Sequence, residues 1–373
     1  MTRISRAKRL VPAAAGAALA LTVALPAVGT AGAAAAKLPK SGVETPSSGT
    51  VSETGSSLLY PLFNLWVPGY NQTYPTVTIQ TASTGSGTGI TDASNGTADI
   101  GASDAYLSTS ELQATPTLQN IPLAISAQLV EYHIPGVTAH LKLSGKLLSA
   151  IYQGKITKWN DPKIVAVNKG VTLPTLPIVT LHRADSSGDT FLFSSYLSQA
   201  TPTGWGKTLS FNTTIAWPSV TGALAETGNS GMVAGCKATV GCIAYVGISY
   251  LTQVLQNTAN YAALQNKSGQ YVLPSQGSIA AEAASFANKT PVNGTISLIY
   301  GPAKQGYPII NYEYAIVNTK QATATTAKNM RSVLEWAVNP KLGNSSTYLT
   351  PVNFQPLPPK VELNSIKQIL KIK

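Results

Sequence analysis

The chain has 373 residues, with 26 Lys and Arg against 15 Asp and Glu and a formal charge of +11. Charged residues are only 11%, well under the roughly 25% of average soluble domains, yet a hydrophobic content of 44% and a mean hydropathy of +0.09 suit a globular chain. Disorder, collagen and a polytopic membrane protein are excluded, and two cysteines with three scattered histidines (His133, His140, His182) lack the paired spacing of a zinc site.

Residues 1–36 hold four of the cations (Arg3, Arg6, Lys8, Arg9) and no acid, which leaves +7 for the rest. The basic head is followed by an apolar run from Leu10 to Leu25, then Pro26 and a small-residue tail ending in Ala33 to Ala36. That order predicts a secretory signal, cleaved after Ala33 or after Ala36, rather than a bilayer span, which needs roughly 20 apolar residues. Residues 37–51 are rich in Pro, Ser, Gly and Thr and read as a linker. The remainder of the chain is longer than one compact core usually holds and suits two lobes.

Leu58, Leu59, Leu62, Phe63 and Trp66 recur at helical spacing behind a Ser56-Ser57 cap, and alternating Thr76 to Thr81 predicts a strand. Gly85-Ser86-Gly87-Thr88-Gly89 precedes a short helix, and Ala98 to Asp104 reads as a second strand ending in an acid. This βαβ order predicts an α/β fold with a largely parallel sheet. Helices are expected over Leu143–Gln153 and Asp161–Asn168, and a strand over Ile178–His182. After Asp185-Ser186-Ser187-Gly188-Asp189, Phe191, Leu192 and Tyr196 again have helical spacing. A strand over Ile309–Val317 and a helix over Ala327–Val338 complete the pattern. Cys236 and Cys242, in an exported chain, predict a local disulfide closing a small loop.

Three segments place a small or hydroxyl-rich turn just ahead of a helix: Thr54 to Leu58, Gly85 to Gly89 and Asp185 to Asp189. Helix N-termini carry unpaired N–H groups and partial positive charge, so each could hold an anion, and Arg183 would add a planar charged fork. One such turn is an ordinary cap; three with an arginine point to anion binding. Rival motifs fail, since a dinucleotide fingerprint meets Ile90, and a phosphate loop ending Gly206-Lys207-Thr208 begins with Thr201. No nucleophile elbow and no nucleic-acid motif is present. Asp104 or Asp189 would repel an anion unless that anion has a proton to donate. Phosphate near neutral pH retains one and sulfate does not. Capping by Asp104 and a dipole role for Asp189 are equally compatible with the sequence.

Thr54-Gly55-Ser56-Ser57-Leu58-Leu59-Tyr60-Pro61, Gly101-Ala102-Ser103-Asp104 and Arg183-Ala184-Asp185-Ser186-Ser187-Gly188-Asp189-Thr190-Phe191 resemble the phosphate-binding protein of the ABC-type phosphate importer. Ile151 to Ile156, Lys158 to Pro162, the Cys236/Cys242 loop and Pro308 to Tyr314 extend the likeness, closest to the mycobacterial surface-antigen branch. The resemblance implies a two-lobe periplasmic-binding-protein-like fold (type II) with ligand in the interlobe cleft. One lobe would span 52–127 and 308–373, the other 128–307. Ser57 and Leu58 would offer backbone N–H groups, Ser57 its hydroxyl as well, with Ser56 beside them. Ser86 would donate its hydroxyl, Asp104 would accept the phosphate proton, and Arg183 would pair with the anion and hold Asp104. Ser187 and Gly188 would donate from the third turn. Asp189 stands where many members have threonine, and would be a second acceptor favouring more protonated phosphate. The resemblance further implies a monomer without catalytic nucleophile, metal or cofactor, delivering phosphate to a membrane permease and binding no nucleic acid. No cysteine precedes Cys236, so release, or retention by other contacts or by an uncleaved signal, is expected in place of a lipid tether. A secreted phosphatase using the same cradle and a surface interaction protein are the alternatives.

Overall fold

The computed structural model describes residues 42–257 and 259–373; the signal read over 1–36 lies outside them. Strand β1 (Gly49–Gly55) begins inside the stretch read as linker, because Val51, Glu53 and Gly55 alternate inward with period two. It pairs in parallel with β2 (Val77–Ser83), Gly49 opposite Val77 and Gly55 opposite Ser83. Helix α1 (Tyr60–Asn71) joins them, with Pro61 near its start and Leu62, Phe63, Trp66 and Tyr70 on its buried face. Each such apolar side chain contributes roughly 1.5–3 kcal/mol on burial. The helix starts later than the cap pattern suggested. Ser56 Oγ accepts from the N–H groups of Leu58 (3.1 Å) and Leu59 (3.0 Å), which makes a separate turn of those residues. Helix α2 (Ser86–Asn95) leads to β3 (Ile100–Ser103), also parallel to β1.

Helix α3 (Thr109–Ala114) is fixed by a capping box between Ser108 and Glu111. The chain then enters β4 (Leu118–Tyr132), 15 residues long and buried almost throughout. Its Leu118–Ala127 segment pairs antiparallel with the C-terminal strand, and its Gln128–Tyr132 segment pairs antiparallel with a strand starting at Cys242. One strand thereby serves two wings of a single sheet.

The second wing opens with β5 (Lys142–Leu143), α4 (Gly145–Tyr152) and α5 (Pro162–Val167), the last capped by Asp161. Strand β6 (Val179–Arg183), helix α6 (Gly188–Ala200), strand β7 (Leu224–Glu226), helix α7 (Gly228–Ala238) and strand β8 (Cys242–Gly247) form its parallel part. The disulfide between Cys236 and Cys242 ties the last turn of α7 to the start of β8, with Cα atoms 5.4 Å apart. Helix α8 (Leu251–Gln256) and strand β9 (Asn260–Tyr261) come next, and β9 pairs with β4. Strands β10 (Ala263–Gln265) and β11 (Tyr271–Val272) form a small sheet with β5, and α9 (Gln276–Ala284) packs against β4. Strand β12 (Ile310–Asn318) then returns between β3 and β4, and α10 (Ala324–Val338), α11 (Ser346–Leu349) and α12 (Pro359–Ile369) complete the chain.

The strand order of the main sheet is β2, β1, β3, β12, β4, β8, β6, β7. The expected parallel pairing holds within each wing and fails in the middle, where β12 and β4 make antiparallel ladders. The βαβ pattern of local segments could not reveal this, because the inserted strand comes from the far end of the chain. The result is two parallel α/β lobes joined by crossing strands.

Candidate functional site

In parallel sheets ligands collect outside the carboxyl ends of the strands. Here β1 ends at Gly55 and β3 at Ser103 in one wing, and β6 ends at Arg183 in the other. The chain turns from these ends directly into Ser56–Leu58, Asp104 and Asp185–Ser187, while the first residue of α2 is Ser86. All nine residues singled out in the sequence lie around this junction, and most of their side chains are buried.

Asp104 stands at the centre. Ser56 Oγ donates a very short hydrogen bond to its Oδ1, and Ser86 Oγ reaches its Oδ2 at 3.4 Å. The Asp104 N–H in turn donates to Ser86 Oγ at 3.2 Å. Gly188 closes over this group. A Cβ at that position would lie 2.3 Å from Asp104 Oδ2 and 2.5 Å from Ser86 Oγ, so only glycine admits the approach. Gly85 has φ +95° and would place a Cβ 2.7 Å from both Asp185 Oδ2 and the Ser186 carbonyl oxygen. Side-chain-free backbone is therefore required where the two wings meet.

Ser57 Oγ accepts from the backbone N–H (3.1 Å) and the Nδ2 (2.9 Å) of Asn229. Both bonds use its oxygen as acceptor and leave its proton available to an anion. Leu58 is buried through its side chain against Gly247, and its carbonyl accepts from Ser249 Oγ at 2.8 Å. Ser187 caps α6, and its own N–H is committed to the Thr213 carbonyl at 2.8 Å. Its hydroxyl, rather than its amide, is thus the group it can offer. The amides of Gly188 and Asp189 open α6, where N–H groups have no partner within the helix.

Arg183 differs from expectation. Its Nε donates to Asp185 Oδ1 at 2.7 Å, its Nη2 makes a very short contact with Asp185 Oδ2, and its Nη1 reaches Asp189 Oδ2 at 2.8 Å. It makes no hydrogen bond to Asp104 among the described residues; the two neighbouring acids of its own wing, already in place by sequence, take its fork instead. Asp189 is equally committed: Asn229 Nδ2 donates to its Oδ2 at 2.7 Å and Gln128 Nε2 to its Oδ1 at 3.1 Å. Both carboxylate oxygens are held by protein donors, which makes Asp189 an anchor for Arg183 more readily than a second acceptor.

Burial and charge act on these acids in different proportions. Burial raises the Asp104 carboxyl above its ordinary range, the Asp189 charge adds to this, and Glu313, Ser56 and Arg183 partly offset it. Burial raises Asp189 as well, against the pull of Arg183. For Asp185 burial is outweighed by the hydrogen bonds and charge of Arg183, which hold it below the usual carboxylate range. Burial disfavours the Arg183 charge, and Asp185 and Asp189 more than restore it. One guanidinium thus faces several acids, so a fully deprotonated oxyanion meets excess negative charge whereas an oxyanion with a proton finds an acceptor.

Sequence reasoning missed Gln128, Asn229 and Glu313. Gln128 lies on β4 and Asn229 at the start of α7, far along the chain from the residues they bond. Glu313 carried a usable signal, an acid within a strand whose other residues are nearly all apolar or aromatic.

Residues 41–341 match the family model of the PBP superfamily domain. A phosphate-binding protein PstS of Xylella fastidiosa is 34% identical over 322 residues, covering 86% of this chain and 83% of that protein. Phosphate-binding protein PstS 2 of Mycobacterium tuberculosis is 30% identical over 301 residues, covering 77% and 78%. Among solved structures, the high-affinity periplasmic phosphate-binding protein PfluDING, bound with phosphate, superposes with a TM-score of 0.67 at 21% identity over 84% of this chain and 92% of that one. That last likeness is one of fold.

Proposed function

The chain belongs to the PBP superfamily and to its phosphate-binding PstS proteins, and from that premise we propose that it captures inorganic phosphate between its two lobes and delivers it to the membrane permease of an ABC-type importer. The observation that carries the reading is the convergence of Ser56, Ser86 and Gly188 on a buried Asp104, with the Ser57 hydroxyl and the α6 N-terminus beside it. The hydroxyls and amides stabilise anionic oxygens without a mobile counter-ion, and Asp104 accepts the proton that phosphate retains. Sulfate would leave that carboxylate unpaired and desolvated.

The lobe assignment 52–127 with 308–373 and 128–307 is supported by where the parallel wings exchange chains. Ligand binding would stabilise the closed arrangement, to which Ser57 with Asn229, Gly87 N–H with the Ser186 carbonyl (3.0 Å) and Leu58 with Ser249 already contribute. Export is supported by the composition of residues 1–36, and the named relatives favour a carrier over a secreted phosphatase.

Calorimetric titration of the ligand-stripped mature chain with phosphate, then with sulfate, tests the reading. Saturable phosphate binding without sulfate competition is expected. Binding of both anions would remove Asp104 from its role as filter, and binding of neither would overturn the proposal.

A further inference from the structure

We propose that Tyr106, Phe191 and Phe211 form an aromatic latch that seals the Asp104 side of the cleft when the wings close, and so sets how slowly bound phosphate leaves. The inference rests on the phosphate reading for its ligand, and on contacts between the two wings for the latch.

Tyr106 lies just beyond Asp104, in the loop that leaves β3. Phe191 lies just beyond Gly188, early in α6 on the opposite wing. Their rings meet edge to face, with centroids 5.3 Å apart and planes at 86°. The same two segments therefore touch twice: Gly188 closes over the Asp104 carboxylate, and the ring pair closes beside it. A cavity of about 10 Å³ is lined by Asp104, Asn311 and Tyr314 together with both rings. A space of that size admits roughly one water, so the rings stand between the acceptor carboxylate and bulk solvent on this side.

The outer part of the latch is fixed within its own wing. Phe211 packs edge to face on Phe191, at 5.5 Å and 74°, and is 39% exposed where Phe191 is 8% exposed. Its segment bends at Ser210, whose φ of +57° lies in the left-handed region that favours glycine. Such a conformation persists only where the surroundings hold it. Here Trp205 Nε1 and Ser198 Oγ both donate to the Ser210 carbonyl, at 2.9 Å and 3.0 Å. Beyond Phe211, the Thr213 carbonyl accepts from the Ser187 N–H at 2.8 Å, and the Thr213 hydroxyl accepts from Ser186 Oγ at 3.1 Å. One bent segment thus braces the third donor turn and holds a ring against Phe191.

Tyr106 and Phe191 come from different wings, so their contact forms and breaks with closure, while the contact of Phe191 with Phe211 lies within one wing and persists. A contact made only in the closed arrangement slows opening more than it speeds encounter. Losing the Tyr106 ring raises the dissociation rate of phosphate and leaves its association nearly unchanged. The packing of the ring, rather than its hydroxyl, is what the latch requires.

The test compares wild type, Tyr106→Ala, Tyr106→Phe, Phe191→Leu and the Tyr106→Ala/Phe191→Leu double variant of the mature chain. Release of radiolabelled phosphate into excess unlabelled phosphate gives the dissociation rate, calorimetry gives the affinity, and their quotient is the association rate. Tyr106→Ala and Phe191→Leu should each release phosphate about three- to tenfold faster, the fold-change that an aromatic pair is worth, with association within about twofold of wild type. Tyr106→Phe should behave as wild type. The double variant should release no faster than the faster single variant, because both substitutions remove one contact, whereas their effects on urea unfolding without ligand should add independently. Wild-type release from Tyr106→Ala, multiplied effects in the double variant, or the same coupling in ligand-free unfolding would each overturn the latch while phosphate binding stands. If wild type binds no phosphate, the carrier reading fails and the latch fails with it.

Discussion

At the scale of single residues the site depends on how Arg183 is spent. Its fork is engaged by Asp185 through two roughly parallel bonds and by Asp189 through a third, with all three side chains largely removed from water. Truncating one partner of such a buried set leaves the others as uncompensated charges. Arg183→Ala should therefore weaken phosphate binding by roughly 2–5 kcal/mol, the range for losing one side of a buried charge pair. Arg183→Lys should recover only part of this, because an ammonium cannot reproduce the planar two-bond contact with Asp185. Titration calorimetry on the three proteins decides the point, and wild-type affinity in the alanine variant would show that Arg183 is a purely internal brace. Much of this was legible in the sequence. Arg183, Asp185, Ser187 and Gly188 are neighbours along the chain, so a local pattern of cation, acid, hydroxyl and glycine before a helix exposes them together. The partner chosen by Arg183 was not legible: Asp104 and Asp189 are both acids of the site, and only the packing of α6 against β6 decides between them.

At the scale of elements, α7 links site and scaffold. Its first turn carries Asn229, which holds Ser57, Asp189 and, through Oδ1, the Gly247 N–H at 2.8 Å. Its last turn carries Cys236, bonded to Cys242 at the start of β8. A ring this small restricts the unfolded chain by an amount worth about 2 kcal/mol. Replacing both cysteines by serine should lower unfolding stability by about that much in denaturant titration, while phosphate affinity changes by less than about tenfold because Asn229 keeps its own bonds at the opposite end. A double variant as stable as wild type would deny the staple an energetic role; a collapse of affinity would show that α7 is positioned from its far end. The cysteine spacing predicted the bridge. It could not predict that the bridged helix presents Asn229, since nothing in Gly228-Asn229-Ser230 distinguishes a site residue from an ordinary helix start.

At the scale of the whole molecule, the crossing strands that join the wings also bury acids. Strand β4 carries Glu131, with both carboxylate oxygens lacking a hydrogen-bond partner, and burial pushes its pKa up to about 8. In β1, burial pushes Glu53 up to about 8 as well, despite hydrogen bonds from the Thr81 hydroxyl and the Ala82 backbone. Both lie well above the ordinary value of 4.5. Proton counting gives the sign. Below pH 4.5 these groups are neutral in the folded and the unfolded chain and cost nothing by ionisation. Between 4.5 and about 8 the unfolded chain releases protons that the folded chain retains, so folding stability falls as pH rises. Each group contributes a slope of about 1.4 kcal/mol per pH unit in that window. Asp185, held low by Arg183, acts in the opposite sense only at more acidic pH. Urea unfolding should consequently give higher stability at mildly acidic than at mildly alkaline pH, and Glu131→Gln should remove about one proton's worth of that slope. Stability that is flat, or that rises, across the same window would mean that Glu131 and Glu53 are ionised in the folded chain and that water or a counter-charge reaches them.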